Sequence, residues 1–214
     1  MTQALRATVA PRLPNAPKEY DEGDESKFRR VLNLYFAQLD NVSKTLLSIT
    51  GGQYLNLPSG SFSSIVTQTA SVINTPKRID LDVSDYSNGV YRVIGDGVHV
   101  SQDGVYNLQF SLQLTNSSTQ SHDMDIWLRK NGVDIPYSSS VITVAGTHGG
   151  QPGYYILAAN FFVTLRITDY VELWWATNDL GVQLNALAPL SAPFINPGAP
   201  SAVVTLSFVS AIPL

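Results

Sequence analysis

Histidine, carboxylate and aromatic side chains are the groups with which this chain could do chemistry, and their spacing limits what that chemistry is. There are three histidines, His99, His122 and His148, and no cysteine, so thiolate metal sites, disulfides and cysteine nucleophiles are excluded. Asp80, Asp82 and Asp85 in RIDLDVSDYS offer the oxygens a hard cation such as calcium wants, but not at the spacing of an EF-hand. Asp80 and Asp82 alternate with Ile79, Leu81 and Val83, the pattern of a solvated strand face. His122, Asp123 and Asp125 fall in NSSTQSHDMD, a polar loop leading into a strand. The segment THGGQPG around His148 is glycine-rich but lacks the strand–turn–helix context of a phosphate cradle. No Ser/His/Asp set and no paired-carboxylate context stands out. The expectation is a protein that is not an enzyme, with no catalytic residue, metal or cofactor.

The aromatic residues are the better binding candidates. Trp127 alternates with Ile126 and Leu128, and Trp174 with Leu173 and Trp175, so both are expected to face away from the inner core. An outward tryptophan stacks on sugar rings or fills a subunit interface. Trp174 is assigned to an interface, while Trp127 stays open between that and surface binding to a host-surface glycan or protein. Nucleic acid is excluded as a partner, because the net charge is -4 with only 13 Lys+Arg.

Three zones must position these groups. Residues 1–23 read as an extended anchoring arm, with a disordered tail as the alternative; Pro11, Pro14 and Pro17 fix their own φ and push the preceding residues to extended geometry. Arg6 and Arg12 would let this arm grip an acidic partner. Residues 24–50 read as one helix, capped by Asp24 and stopped by Gly51 and Gly52, with acidic residues at its positive end. Its apolar seam is Phe28, Leu32, Tyr35, Leu39, Val42, Leu46 and Ile49, alternating steps of four and three. Leu32, Leu39 and Leu46 at a, with bulky or β-branched residues at d, favour three or four strands over a parallel dimer. The alternative is an amphipathic helix packed on its own domain.

Residues 51–214 read as strands and turns. GVYNLQFSLQL places Tyr106, Leu108, Phe110, Leu112 and Leu114 on one face and Asn107, Gln109, Ser111 and Gln113 on the other. Asn88-Gly89 and Asn131-Gly132 are the strongest hairpin signals. Many short strands without helices predict a mainly β, antiparallel jelly-roll sandwich behind the arm and one trimerising helix. The longest apolar run, YYILAANFFVTL, is broken by Asn160 and falls short of the ~20 residues that span a bilayer, so no membrane insertion is expected. The opening residues lack the apolar stretch of a secretory signal.

Charge is scarce. Only 14% of residues are charged, against about 25% in an ordinary domain. From Leu180 to Leu214 there is neither a charged side chain nor a histidine. Charge is depleted at interface cores as well as in monomer cores, so this stretch is expected where subunits meet, the alternative being a loop that covers the end of its own sandwich.

The strand region resembles the jelly roll of tumour-necrosis-factor-like proteins and complement globular heads. VHVSQDGVYNLQF resembles the family's apolar strand, Gly-x-Tyr turn and aromatic strand through Val98, Val100, Gly104, Tyr106 and Phe110. IWLRKNGVDI resembles its Leu-x-x-Asn-Gly hairpin through Leu128, Asn131 and Gly132. RITDYVELWW resembles its Gly-Asp-x-Val-x-Leu strand through Asp169, Val171 and Leu173, with Thr168 where Gly is usual. The last strand lacks the family's Phe-x-Gly-Phe pattern, and no collagen repeat precedes the domain. The leader RLPNAPKEYD with the helix FRRVLNLYFAQLDN is similar to the start of many phage fibre and structural proteins. The resemblance implies a homotrimer with its last strand near the threefold axis, where Trp174, Phe194, Phe208 and Ile212 are expected. It further implies a virion protein held to other virion proteins by its arm, displaying the roll as a fibre head or knob for host adhesion. The alternatives are a capsid decoration protein that stabilises the shell and, more distantly, a cellular trimeric signalling ligand.

Overall fold

The computed structural model describes residues 9–13, 15, 18–48 and 56–213. The chain divides into two units, Met1–Asn56 and Leu57–Leu214. In the first, α1 spans Glu22–Leu46. The cap is Asp21, not Asp24: the Asp21 carboxylate accepts from the Asp24 N–H at 2.8 Å. Asp24 instead sits in the first turn with Glu22 and Glu25, where all three meet the positive end of the dipole. Asp24 also pairs with Lys27 at 3.0 Å, and Glu25 with Arg29 at 2.7 Å. The helix ends with Leu47 N–H donating to the Ser43 carbonyl. Ile49 and the Gly51-Gly52 stop lie outside the described residues. None of the helix side chains is buried. Phe28, Leu32, Tyr35, Leu39 and Val42 are half-buried along the seam, and Leu46 is exposed.

The second unit carries strands β1 (Ser59–Ser64), β2 (Gln68–Thr69), β3 (Lys77–Arg78), β4 (Val83–Asn88), β5 (Val90–Arg92), β6 (Val98–Val100) and β7 (Gly104–Asn116). It continues with β8 (His122–Lys130), β9 (Val133–Asp134), β10 (Ser140–Val144), β11 (Gly153–Leu165), β12 (Tyr170–Thr177), β13 (Val182–Leu184) and β14 (Ala202–Ser210). One sheet contains β1–β14–β7–β11, the other β6–β12–β8–β10. Among these eight longer-range strands the first pairs with the last, the second with the seventh, the third with the sixth and the fourth with the fifth. Every pair is antiparallel. That is one long hairpin rolled into two facing sheets, the jelly-roll topology.

β7 is the central strand. It pairs with β11 along its whole length, and along its other edge with β14 and then β13. Its inward side chains Tyr106, Leu108, Phe110, Leu112 and Leu114 are all at most 4% exposed. They meet Met124, Ile126 and Leu128 of β8 and Leu173 and Trp175 of β12 in one core. Each such side chain contributes about 1.5–3 kcal/mol of gross burial.

The two Asn-Gly signals part company. Asn131 and Gly132 have φ 52 and 77, as a type I′ turn requires, and join β8 to β9. Asn88-Gly89 is no hairpin, because β4 pairs with β1 and β5 with β6 in the opposite sheet. Only Gly89 has positive φ there, and its carbonyl accepts from the Ser101 N–H and hydroxyl. The pair marks the corner at which the chain changes sheets.

The Asn131 turn is clamped to the start of β12. Asn131 Nδ2 donates to Asp169 Oδ1 at 2.7 Å, and Tyr170 N–H donates back to Asn131 Oδ1 at 3.0 Å. Arg166 N–H and Lys130 Nζ reach Asp169 Oδ2 at 2.8 and 2.7 Å. Burial by itself would raise the Asp169 pKa, yet the hydrogen bonds from Lys130, Asn131 and Arg166 and the Lys130 charge bring it down to about 2. A carboxylate depressed in the folded state stabilises fully above its unfolded pKa and loses that contribution as pH falls through the folded one. Asp169→Asn should therefore cost about 2 kcal/mol at neutral pH. Its urea midpoint should also change less than wild type between pH 4 and pH 2; equal midpoints at neutral pH would contradict the clamp.

Candidate interaction surfaces

The carboxylates that might have gathered a cation are each engaged elsewhere. Asp80 accepts from Arg78 Nε and Nη2, Asp82 from the Ile65 N–H at 3.1 Å, and Asp85 from the Ser63 hydroxyl at 3.0 Å. His122 meets the Ser118 hydroxyl at 2.8 Å, whereas Asp123 accepts from Thr143 Oγ1 at 2.6 Å. Among the described residues, no group of three or more His, Asp or Glu side chains is placed to hold a metal ion. His148 bridges to Gln151 across a tight turn with Gly149 and Gly150 at positive φ.

The two outer faces of the sandwich differ in kind. On the sheet holding β8 and β12, the outward residues of β8 are Asp123, Asp125, Trp127 and Arg129, and those of β12 include Tyr170, Glu172 and Trp174. Trp127 and Trp174 are cross-strand neighbours. The Arg129 guanidinium lies 3.9 Å from the Trp174 ring centroid, a cation–π contact. Asp134 accepts from Arg129 Nε and from Trp127 Nε1 at 2.6 Å. The Arg129 hydrogen bond, more than the one from Trp127, holds the Asp134 carboxyl below its usual value. Glu172 accepts from Trp174 Nε1 at 3.2 Å. Tyr91, His99 and Tyr170 continue this face as a stack, with ring centroids 5.4 and 5.3 Å apart.

Across β14, β7 and β11 the other outer face carries no charge, Asp85 lying on β4 at the far margin of that sheet. Its outward residues are Val203, Thr205, Ser207 and Val209 of β14, Val105, Asn107, Gln109, Ser111 and Gln113 of β7, and Tyr154, Ile156, Ala158, Asn160, Phe162 and Thr164 of β11. The register aligns Val203–Ser111–Ala158 and Thr205–Gln109–Asn160 into rows, and small side chains there leave a shallow groove of about 540 Å³. β11 forms the margin of this face. No strand among the described residues pairs with its second edge, and Tyr154, Ile156 and Phe162 stand 60–66% exposed along it. A long apolar edge open to solvent is a surface that natural proteins normally cover.

The residues expected at a threefold axis are not gathered by the single chain. Trp174 lies on the charged, aromatic face. Phe208 of β14 turns inward, its ring T-shaped against Tyr106 at 5.6 Å. There it occupies the space beside Gly104, where a Cβ would stand 2.5 Å from the Phe208 ring. Phe194 is 66% exposed in the loop between β13 and β14, and Ile212 is half-buried after β14. Of the arm residues, Pro11 is half-buried and Arg12 exposed; Arg6, Pro14 and Pro17 lie outside the described residues. Sequence reasoning did not single out the uncharged face as a surface. The polar outward residues of β7 were readable, but that β11 and β14 flank them was not.

No protein-family profile and no curated protein matches this chain. Among solved structures the chain is similar to an Eiger TNF from S. frugiperda, with a TM-score of 0.47 and 10% identity. That alignment covers 75% of this chain and 97% of the other.

Proposed function

We propose that this chain is a non-enzymatic virion protein that assembles as a homotrimer, attaches through its N-terminal arm to other virion proteins and displays the jelly roll for host adhesion. The observation that carries the assembly is the uncharged face of β14, β7 and β11. A solvated antiparallel face ordinarily carries charge, as the face of β8 and β12 in the same domain does with Asp123, Asp125, Arg129 and Glu172. Asn, Gln, Ser and Thr without charge, beside an open apolar edge, suit burial against another copy. A groove of small residues next to a protruding edge is complementary to the neighbouring copy's edge in a head-to-tail arrangement, and such contacts close into rings.

The number three rests on α1, whose unburied seam has Leu at a and Phe, Tyr and Val at d. The virion assignment rests on the likeness of RLPNAPKEYD and the helix to phage fibre and structural proteins. With the uncharged face turned inward, Trp127 and its neighbours fall on the displayed side. Their rings suit stacking on sugars.

Sedimentation in dilute buffer should return a single species of three times the 23.3 kDa chain. Ala158→Arg should dissociate it without altering the β-sheet circular dichroism, whereas a folded wild-type monomer would refute the assembly. Deleting residues 1–22 should abolish incorporation into particles and leave the trimer mass unchanged. Particles lacking the protein should lose adsorption to host cells; particles that instead burst more readily would assign it to shell stabilisation.

A further inference from the structure

One cavity is separate from the uncharged face and its groove, and shares Glu172 with the charged, aromatic face. It opens between the two sheets and measures about 360 Å³, within the range of small-molecule sites. Its origin is a gap in strand pairing. β12 shares one edge between two short strands, β6 at Tyr170 and Val171 and β3 at Trp174 and Trp175. At Glu172 and Leu173, between them, no strand among the described residues pairs with this edge, and the Ile79 N–H donates to the Leu173 carbonyl at 2.8 Å, so the sandwich stays ajar. The floor is apolar, with Leu108 of β7 and Val204 of β14 from one sheet and Val98, Val171 and Leu173 from the other. The turn between β5 and β6 forms a lip, on which Val93 is 42% and Ile94 86% exposed.

The mouth chooses the ligand. It holds Arg78 and Arg92 against Asp80, Asp82, Asp96 and Glu172, an excess of two negative charges. Each arginine places three of its five N–H donors on the protein itself. Arg92 gives Nε to Ser84 Oγ and its two Nη groups to the Leu81 and Asp82 carbonyls. Arg78 gives Nε and Nη2 to Asp80 and Nη1 to the Asp96 carbonyl. The Glu172 side chain is only 7% exposed, with Arg78 3.5 Å away, Trp174 Nε1 donating to it at 3.2 Å and Arg129 its cross-strand partner. A buried carboxylate so placed gains from a further N–H donor.

We infer that this cleft is a binding site for a small apolar amine, its body on Leu108, Leu173 and Val204 and its ammonium toward Glu172. The site lies within one chain and is independent of the assembly proposed above. An anionic ligand is disfavoured, because the four carboxylates at the mouth outnumber the two arginines and repel it. The test is methyl NMR titration of the full-length protein with phenylpropylamine and, as the charge-reversed control, phenylpropanoate. The amine should shift the methyl resonances of Leu108, Leu173 and Val204 and bind at least about tenfold more tightly than the acid. Val204→Phe, which fills the floor, should abolish the shifts at the remaining two residues. Glu172→Gln preserves the shape and the Trp174 hydrogen bond and should narrow the preference between the two probes. Still methyls at millimolar amine, an acid that binds as well as the amine, or a preference that survives Glu172→Gln would each overturn the assignment.

Discussion

β7 is the strand on which everything else in the roll is registered. It is bonded along one edge to β11 and along the other to β14 and β13, so three strands take their side-chain alternation from it. A slip of one residue would carry Leu108, Phe110, Leu112 and Leu114 to the outside and Gln109, Ser111 and Gln113 into the core. The cost of burying those amides without partners forbids that register. One strand thus settles both what is inside and what remains outside.

Closure of the roll adds a second constraint. β7 aligns only its own sheet; the other sheet needs β8 and β12 brought into pairing. The Asp169 carboxylate, held by Lys130, Asn131 and the Arg166 N–H, ties the tip of the β8–β9 turn to the residue before β12. The family-like motifs around Asn131 and Asp169 are therefore two halves of one hydrogen-bonded clamp. Their polar groups bond to one another and hold the scaffold. That division explains how a chain with engaged carboxylates and scattered histidines can still have defined surfaces: the polar groups hold the scaffold, while the surfaces are defined by where charge is present and where it is not.

Legibility from sequence followed the range of the interaction. Local periodicity revealed α1 and the inward face of β7, because a helix or strand repeats its side-chain direction every few residues. The Asn131-Gly132 turn was equally readable, since its backbone demands are confined to two residues. Asn88-Gly89 looked the same and behaved differently. Its neighbours β4 and β5 find partners in opposite sheets, and no local pattern reports which sheet a strand will join. Asp21 displaced Asp24 as the cap for a similar reason, since a run of acidic residues offers several caps and the backbone geometry selects one.

Composition and alternation by themselves determined that this chain is a β sandwich behind a heptad helix and that it is unusually poor in charge, because both are properties of short windows. Only the tertiary structure decided that the uncharged strands lie side by side, that Trp174 sits under Arg129 on the opposite face, and that Phe208 turns inward over Gly104. The gap between β3 and β6 that opens a cleft beside Glu172 was likewise hidden. Each of these joins residues tens of positions apart, and such meetings depend on strand order, which the rolled hairpin imposes on the chain as a whole.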